Sequence, residues 1–117
     1  EKAAVGIGQT NLERGDLKAA EDALVKAVAV PGAGREVFYS LAEVKNTQRQ
    51  TDEAAKWYEK ASATDPSWGK PLYKLGLLAL DRGDKQNAAR LLDRVIAVDP
   101  ASPEAALAKA ALDQMNR

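Results

Sequence analysis

The chain holds 117 residues, with 17 basic side chains against 17 acidic ones and neither cysteine nor histidine. Its length suits one domain with a core of its own, and its balanced charge offers no bulk field for a nucleic-acid backbone or an anionic membrane. Lacking cysteine and histidine, it has no disulfide frame, no thiolate nucleophile, no usual zinc set and not the commonest general base, and it fits cytoplasm and periplasm equally.

The first predicted helix carries Ala4, Ile7, Gly8 and Asn11, a spacing of i, i+3, i+4 and i+7 that builds one face of a helix. Gly15-Asp16 ends it: glycine takes a left-handed conformation cheaply, and aspartate caps the next helix through its side-chain oxygen. That next helix carries Ala20, Leu24, Ala27 and Val28 and stops at Pro31-Gly32. The third repeats the pattern with Phe38, Leu41, Ala42 and Lys45. Here Arg49-Gln50 stands where Gly-Asp is expected, so this helix is expected to end early, near Asn46-Thr47, in the least regular turn. A fourth helix has Ala54, Tyr58 and Ala61 and closes at Asp65-Pro66, because proline disfavours helix in the residue before it. The fifth carries Leu72, Leu75, Gly76 and Ala79 and turns at Gly83-Asp84. The sixth carries Ala88, Leu92, Val95 and Ile96 and closes at Asp99-Pro100. Ser102-Pro103-Glu104 starts a seventh, with a capping hydroxyl before a proline in the first turn. Its face of Ala108, Ala111, Leu112 and Met115 is expected to cover the preceding hairpin, leaving Lys109, Asp113 and Asn116 to water.

These positions recur with a step of 34 residues: Ala20, Ala54 and Ala88; Leu24, Tyr58 and Leu92; Pro66 and Pro100. The period makes an array of helical hairpins. It divides the single domain into units 1–34, 35–68 and 69–102 plus a closing helix at 103–117. The chain is read as a fragment of a longer protein, since the first helix begins at Glu1 with no cap before it.

With this register the pattern resembles the tetratricopeptide repeat. The best unit reads Leu72, Leu75-Gly76, Ala79, Gly83-Asp84, Ala88, Leu92, Val95 and Pro100, and departs at Ala79 and Val95. The resemblance implies an all-α, right-handed α-solenoid whose first helices line a concave groove, with the second helices forming a convex back. It also implies a noncatalytic protein-interaction module holding a peptide or helix of a protein partner. Carried onto this sequence, the groove positions are Lys2, Val5, Gln9, Leu12 and Glu13; Glu36, Tyr39, Glu43, Asn46 and Thr47; and Lys70, Tyr73, Leu77, Leu80 and Asp81. The family's clamp for chaperone C-termini falls on Val5, Gln9, Ser40, Lys70 and Lys74, where only the last two carry suitable charge, so that use is not expected.

Tyr39 and Tyr73 either contact a partner, as tyrosines do at recognition surfaces, or pack between hairpins and show an edge. The groove's carboxylates outnumber its lysines, which suits a basic or apolar peptide, while scattered helix charges are as readily only solvated. Trp57 and Trp68 read as half-buried packing, or Trp57 as an outward anchor for a partner or a second copy. The competing use of the chain is a structural spacer or self-association element without a peptide ligand. No catalytic, cofactor or metal set can be assembled from these residues. Gly6-Ile7-Gly8 lies inside a helical pattern with no strand before it, unlike a dinucleotide fingerprint. Apolar runs such as Leu77 to Leu80 are too short to cross a bilayer.

Overall fold

The computed structural model describes residues 17–116, and all its regular elements there are helices. They are α1 (Leu17–Val28), α2 (Arg35–Thr47), α3 (Thr51–Thr64), α4 (Gly69–Asp81), α5 (Lys85–Val98) and α6 (Pro103–Met115). Shifting α2 by 34 residues gives the span of α4, and shifting α4 by 34 gives that of α6; α3 and α5 are related in the same way. The pairs α2–α3 and α4–α5 pack as hairpins, α1 packs on α2, α3 on α4, and α6 lies on α5 and touches α4. The result is an all-α solenoid.

The turn between α2 and α3 departs from expectation. α2 ends at Thr47, as expected from the sequence, but Asp81 ends α4 one period on, so the helix is not shortened. Arg49 adopts φ 64°, close to the 79° of Gly83 one period later. The hydrogen bonds match as well: Gln50 N–H donates to the Lys45 carbonyl at 2.9 Å, as Asp84 N–H does to Ala79, also at 2.9 Å. Arg49 N–H reaches Asn46 at 2.9 Å and Gly83 N–H reaches Leu80 at 3.0 Å. These paired bonds satisfy carbonyls at the helix end only if the residue after the cap is left-handed, and that requirement overrides the arginine's own preference. The caps still differ, because the Asp84 side chain accepts from Asn87 N–H while Gln50 makes no such bond. The Gly15-Asp16 turn lies outside the described residues.

The core runs along the hairpin seams. Leu41, Ala42, Ala54, Tyr58, Ala61, Ala88, Leu92 and Val95 are fully buried. Gly76 is buried where a Cβ would stand 2.9 Å from Leu92 Cδ2 and 3.1 Å from its Cγ, so only glycine allows α4 and α5 this approach. Ala20, Leu24, Ala27 and Val28 of α1 are only half-buried. α1 is tied to α2 by an ion pair between Glu21 and Lys45, and Gln48 Nε2 donates to Glu21 at 3.1 Å. Those contacts, the Lys45 bond foremost, hold the Glu21 carboxyl below its ordinary range.

α6 closes the described array. Ser102 accepts from Ala105 N–H at 3.1 Å and caps a helix whose first residue is Pro103. Its buried residues are Ala105 and Ala108, whereas Ala111, Leu112 and Met115 are half-buried, so its seam sits closer to its start than the sequence pattern suggests. Where α4 places Leu75 and Ala79 against its hairpin partner, α6 carries Lys109 and Asp113, both exposed. Charged side chains there disfavour a further apolar helix.

A candidate partner groove on the first helices

The residues assigned to the groove on α2 and α4 divide by exposure. Glu36, Thr47, Lys70 and Asp81 are exposed; Tyr39, Glu43, Asn46, Tyr73, Leu77 and Leu80 are half-buried. Lys2, Val5, Gln9, Leu12 and Glu13 lie outside the described residues.

Tyr39 packs against Tyr58 of α3, with ring centroids 5.5 Å apart, and against Trp68 at 5.3 Å, both tilted. The Lys70 ammonium lies 5.5 Å from its ring centre. The Arg35 guanidinium sits 4.2 Å from the Trp68 ring centre and pairs with Asp65 at 2.5 Å. Cations over aromatic faces are attracted by the ring quadrupole, so this stack fastens the start of α4 to α2. Burial first, and then the charges of Glu43 and Glu104, push the Tyr39 hydroxyl above its ordinary range. The two loop aspartates play matching parts. Asp65 holds Arg35, and Asp99 Oδ2 accepts from Gly69 N–H at 3.0 Å one period on. Bonds from Ser67 above all, and then Arg35, keep the Asp65 carboxyl low.

Glu43 is a junction. Its Oε2 accepts a 2.6 Å hydrogen bond from the hydroxyl of Tyr58, whose ring is fully buried, and pairs with Lys74 Nζ at 3.6 Å. One carboxylate thus joins α2, α3 and α4. Burial, and then Glu43, push the Tyr58 hydroxyl well up. In the sequence Glu43 stands only as a groove charge and Lys74 only as a clamp position; their partners are distant along the chain, and periodicity does not show them.

Tyr73 has Leu92 and Ser102 at the places that Tyr58 and Trp68 occupy around Tyr39. It therefore lacks the aromatic neighbours of its counterpart and is half-buried against the core. With Leu77 and Leu80 it forms a half-buried apolar strip on a helix whose other face is already closed by Leu72, Leu75, Leu78 and Ala79. Trp57 is half-buried and stacks on Phe38 with centroids 6.1 Å apart and planes at 10°. That packing leaves little of it as an outward anchor.

A cleft of about 470 Å³ lies on the opposite side, between α3 and α5, with Arg82, Arg90 and Arg94 among its lining. Of its leucines, Leu72, Leu75 and Leu78 are core residues, 2%, 7% and 6% exposed, and Leu91 is half-buried. Arg82 is held by Asp52 at 2.6 Å, Arg90 bonds Asn87, and Asp84 caps α5. With most of its floor closed and Arg82, Arg90 and Asp84 engaged, this cleft is the weaker candidate. Among the described residues no three potential metal ligands cluster, and no helix is long and apolar enough to cross a membrane.

A family model described as tetratricopeptide repeat matches residues 5–67 and 73–112. No curated protein matches the chain. Among solved structures, the crystal structure of MamA superposes with a TM-score of 0.68 at 22% sequence identity, covering 85% of this chain and 58% of that one. The chain therefore spans little more than half the length of that neighbour, and at this identity the likeness speaks for the fold.

Proposed function

Because the chain belongs to the tetratricopeptide repeat family, we propose that it holds a peptide or helix of a protein partner in the groove lined by its first helices. Proteins of the family are generally noncatalytic interaction scaffolds, and a protein-interaction module is the general role here. We also keep the division into units 1–34, 35–68 and 69–102 with a closing helix at 103–117, the register on which the groove assignment rests. The observation that carries the groove reading is the strip of Tyr73, Leu77 and Leu80, half-buried apolar surface left over after α4 has packed its core face. Apolar surface beside unpaired charge is what a recognition site needs. Among the described residues Glu36 and Asp81 have no ion-pair partner.

Photo-crosslinking tests this. A benzoylphenylalanine at position 77 in the full protein, expressed in its own cells, is expected to give adducts with another protein; one at exposed Glu59 on the back is not. Adducts from position 59 alone would count against the groove. Adducts only with further copies of the chain would favour the self-association element.

A further inference from the structure

On the groove reading just given, the geometry points to α6 as a third wall of the groove, with Leu107 as an apolar anchor and Glu104 as an acceptor for a basic side chain of the partner. α6 is not solely a cap. Its span is that of α4 moved by one period, so it presents the same register to the same side of the array. Tyr39, Tyr73 and Leu107 are thus equivalent positions, as are Glu36, Lys70 and Glu104. Leu107 is 50% exposed, the largest exposure of any large apolar side chain on α2 to α6. Buried Ala105 and Ala108 already hold α6 to the core, so Leu107 is not needed for the cap.

α6 touches the first helix α4 as well as α5. The charge of Glu104, at the start of α6, is a lesser influence on the Tyr39 hydroxyl of α2, after burial and Glu43, in keeping with a place on the groove side. Among the described residues, Glu36, Asp81 and Glu104 have no cation within ion-pair distance, while the carboxylate of Glu43 is held by Lys74. Lys70 is the opposing charge and lies over Tyr39. The surface that remains is acidic around an apolar row of Tyr73, Leu77 and Leu107. A protein segment carrying both leucine-like and lysine- or arginine-like side chains is its complement.

The test uses the whole chain and two fluorescein-labelled helical peptides, one of leucine and lysine and one of leucine and glutamate, read by fluorescence anisotropy. The lysine peptide is expected to bind more tightly. Leu107→Ser should weaken it by about tenfold, the effect of removing an interface anchor worth a little over 1 kcal/mol. Glu104→Gln should weaken it a few fold and flatten its dependence on salt. Glu59→Gln on α3 should change nothing. Both α6 substitutions are at positions outside the core, and circular dichroism of each variant confirms its folding. If Tyr73→Ser and Leu77→Ser weaken binding while Leu107→Ser and Glu104→Gln do not, α6 is no wall and the groove reading survives. If none of the four matters, or Glu59→Gln weakens binding as much as they do, the groove reading falls too. Tighter binding of the glutamate peptide overturns the role of Glu104.

Discussion

Gly76→Ala is the sharpest test of how the hairpins close. In an exposed helix interior this exchange stabilises by about 1 kcal/mol, because alanine loses less backbone entropy on folding. Here the new Cβ would meet Leu92 Cδ2 at 2.9 Å and Cγ at 3.1 Å. Leu92 is 0% exposed, so it has no free space into which to withdraw. Overpacking a filled core costs about 1–3 kcal/mol, which outweighs or cancels the helix gain. The net expectation is a loss of about 0–2 kcal/mol, or up to roughly 15 °C in melting temperature for a domain of this size. Gly76→Leu should fall further. The control is the same exchange in a Leu92→Ala background, itself destabilised by about 2–5 kcal/mol. There the obstruction is gone, and Gly76→Ala should stabilise by about 1 kcal/mol. Urea and thermal unfolding followed by circular dichroism measure all four members of the cycle. If Gly76→Ala stabilises the parent, or acts equally in both backgrounds, the close approach of α4 to α5 through Leu92 is wrong.

Three further outcomes concern the Arg49 turn and the hydroxyls of Tyr58 and Tyr39. Arg49→Gly should raise stability by about 1 kcal/mol, the cost of holding a side chain at positive φ, and an unchanged or lower denaturation midpoint would mean that the turn is not strained. Tyr58→Phe removes the hydroxyl that Glu43 accepts from and should cost about 1–3 kcal/mol, read by the same unfolding curves. It also bears on alkaline pH. A hydroxyl raised in the folded state keeps its proton there and loses it in the unfolded chain, so stability should decline as pH climbs above about 10. Melting curves from neutral to strongly alkaline pH should show that decline in the parent and less of it in a Tyr39→Phe, Tyr58→Phe variant.

The helices and their register were legible because burial alternates with a period that duplication has kept. Pro66 and Pro100 mark ends that the structure places at Thr64 and Val98, with Asp65 and Asp99 as the C-caps. The Arg49 turn was misread because residue preference is a local property, while the left-handed conformation is imposed by two hydrogen bonds that the helix end must make. Of the proposed groove, the half-buried strip on α4 falls on positions that the family resemblance carries onto this sequence. The role of Glu43 could not, since a carboxylate reads as a surface charge until Tyr58 and Lys74 are found beside it. The exposure of Leu107 is hidden for a related reason: spacing marks an apolar face on α6 but not the leucine that the core leaves uncovered.

The Glu43 junction also makes the front of the solenoid answerable to its back. The carboxylate stands among the residues proposed for the groove, yet its hydrogen bond comes from the hydroxyl of a ring embedded in α3. A partner that drew Glu43 or Lys74 to itself would release the Tyr58 hydroxyl inside the protein. Conversely, a substitution at Tyr58, which shows no surface at all, would leave the Glu43 carboxylate without this hydrogen bond, toward any ligand that meets it. Two hairpins that look like separate modules in the sequence are in this respect one lever, with its pivot at a single side chain.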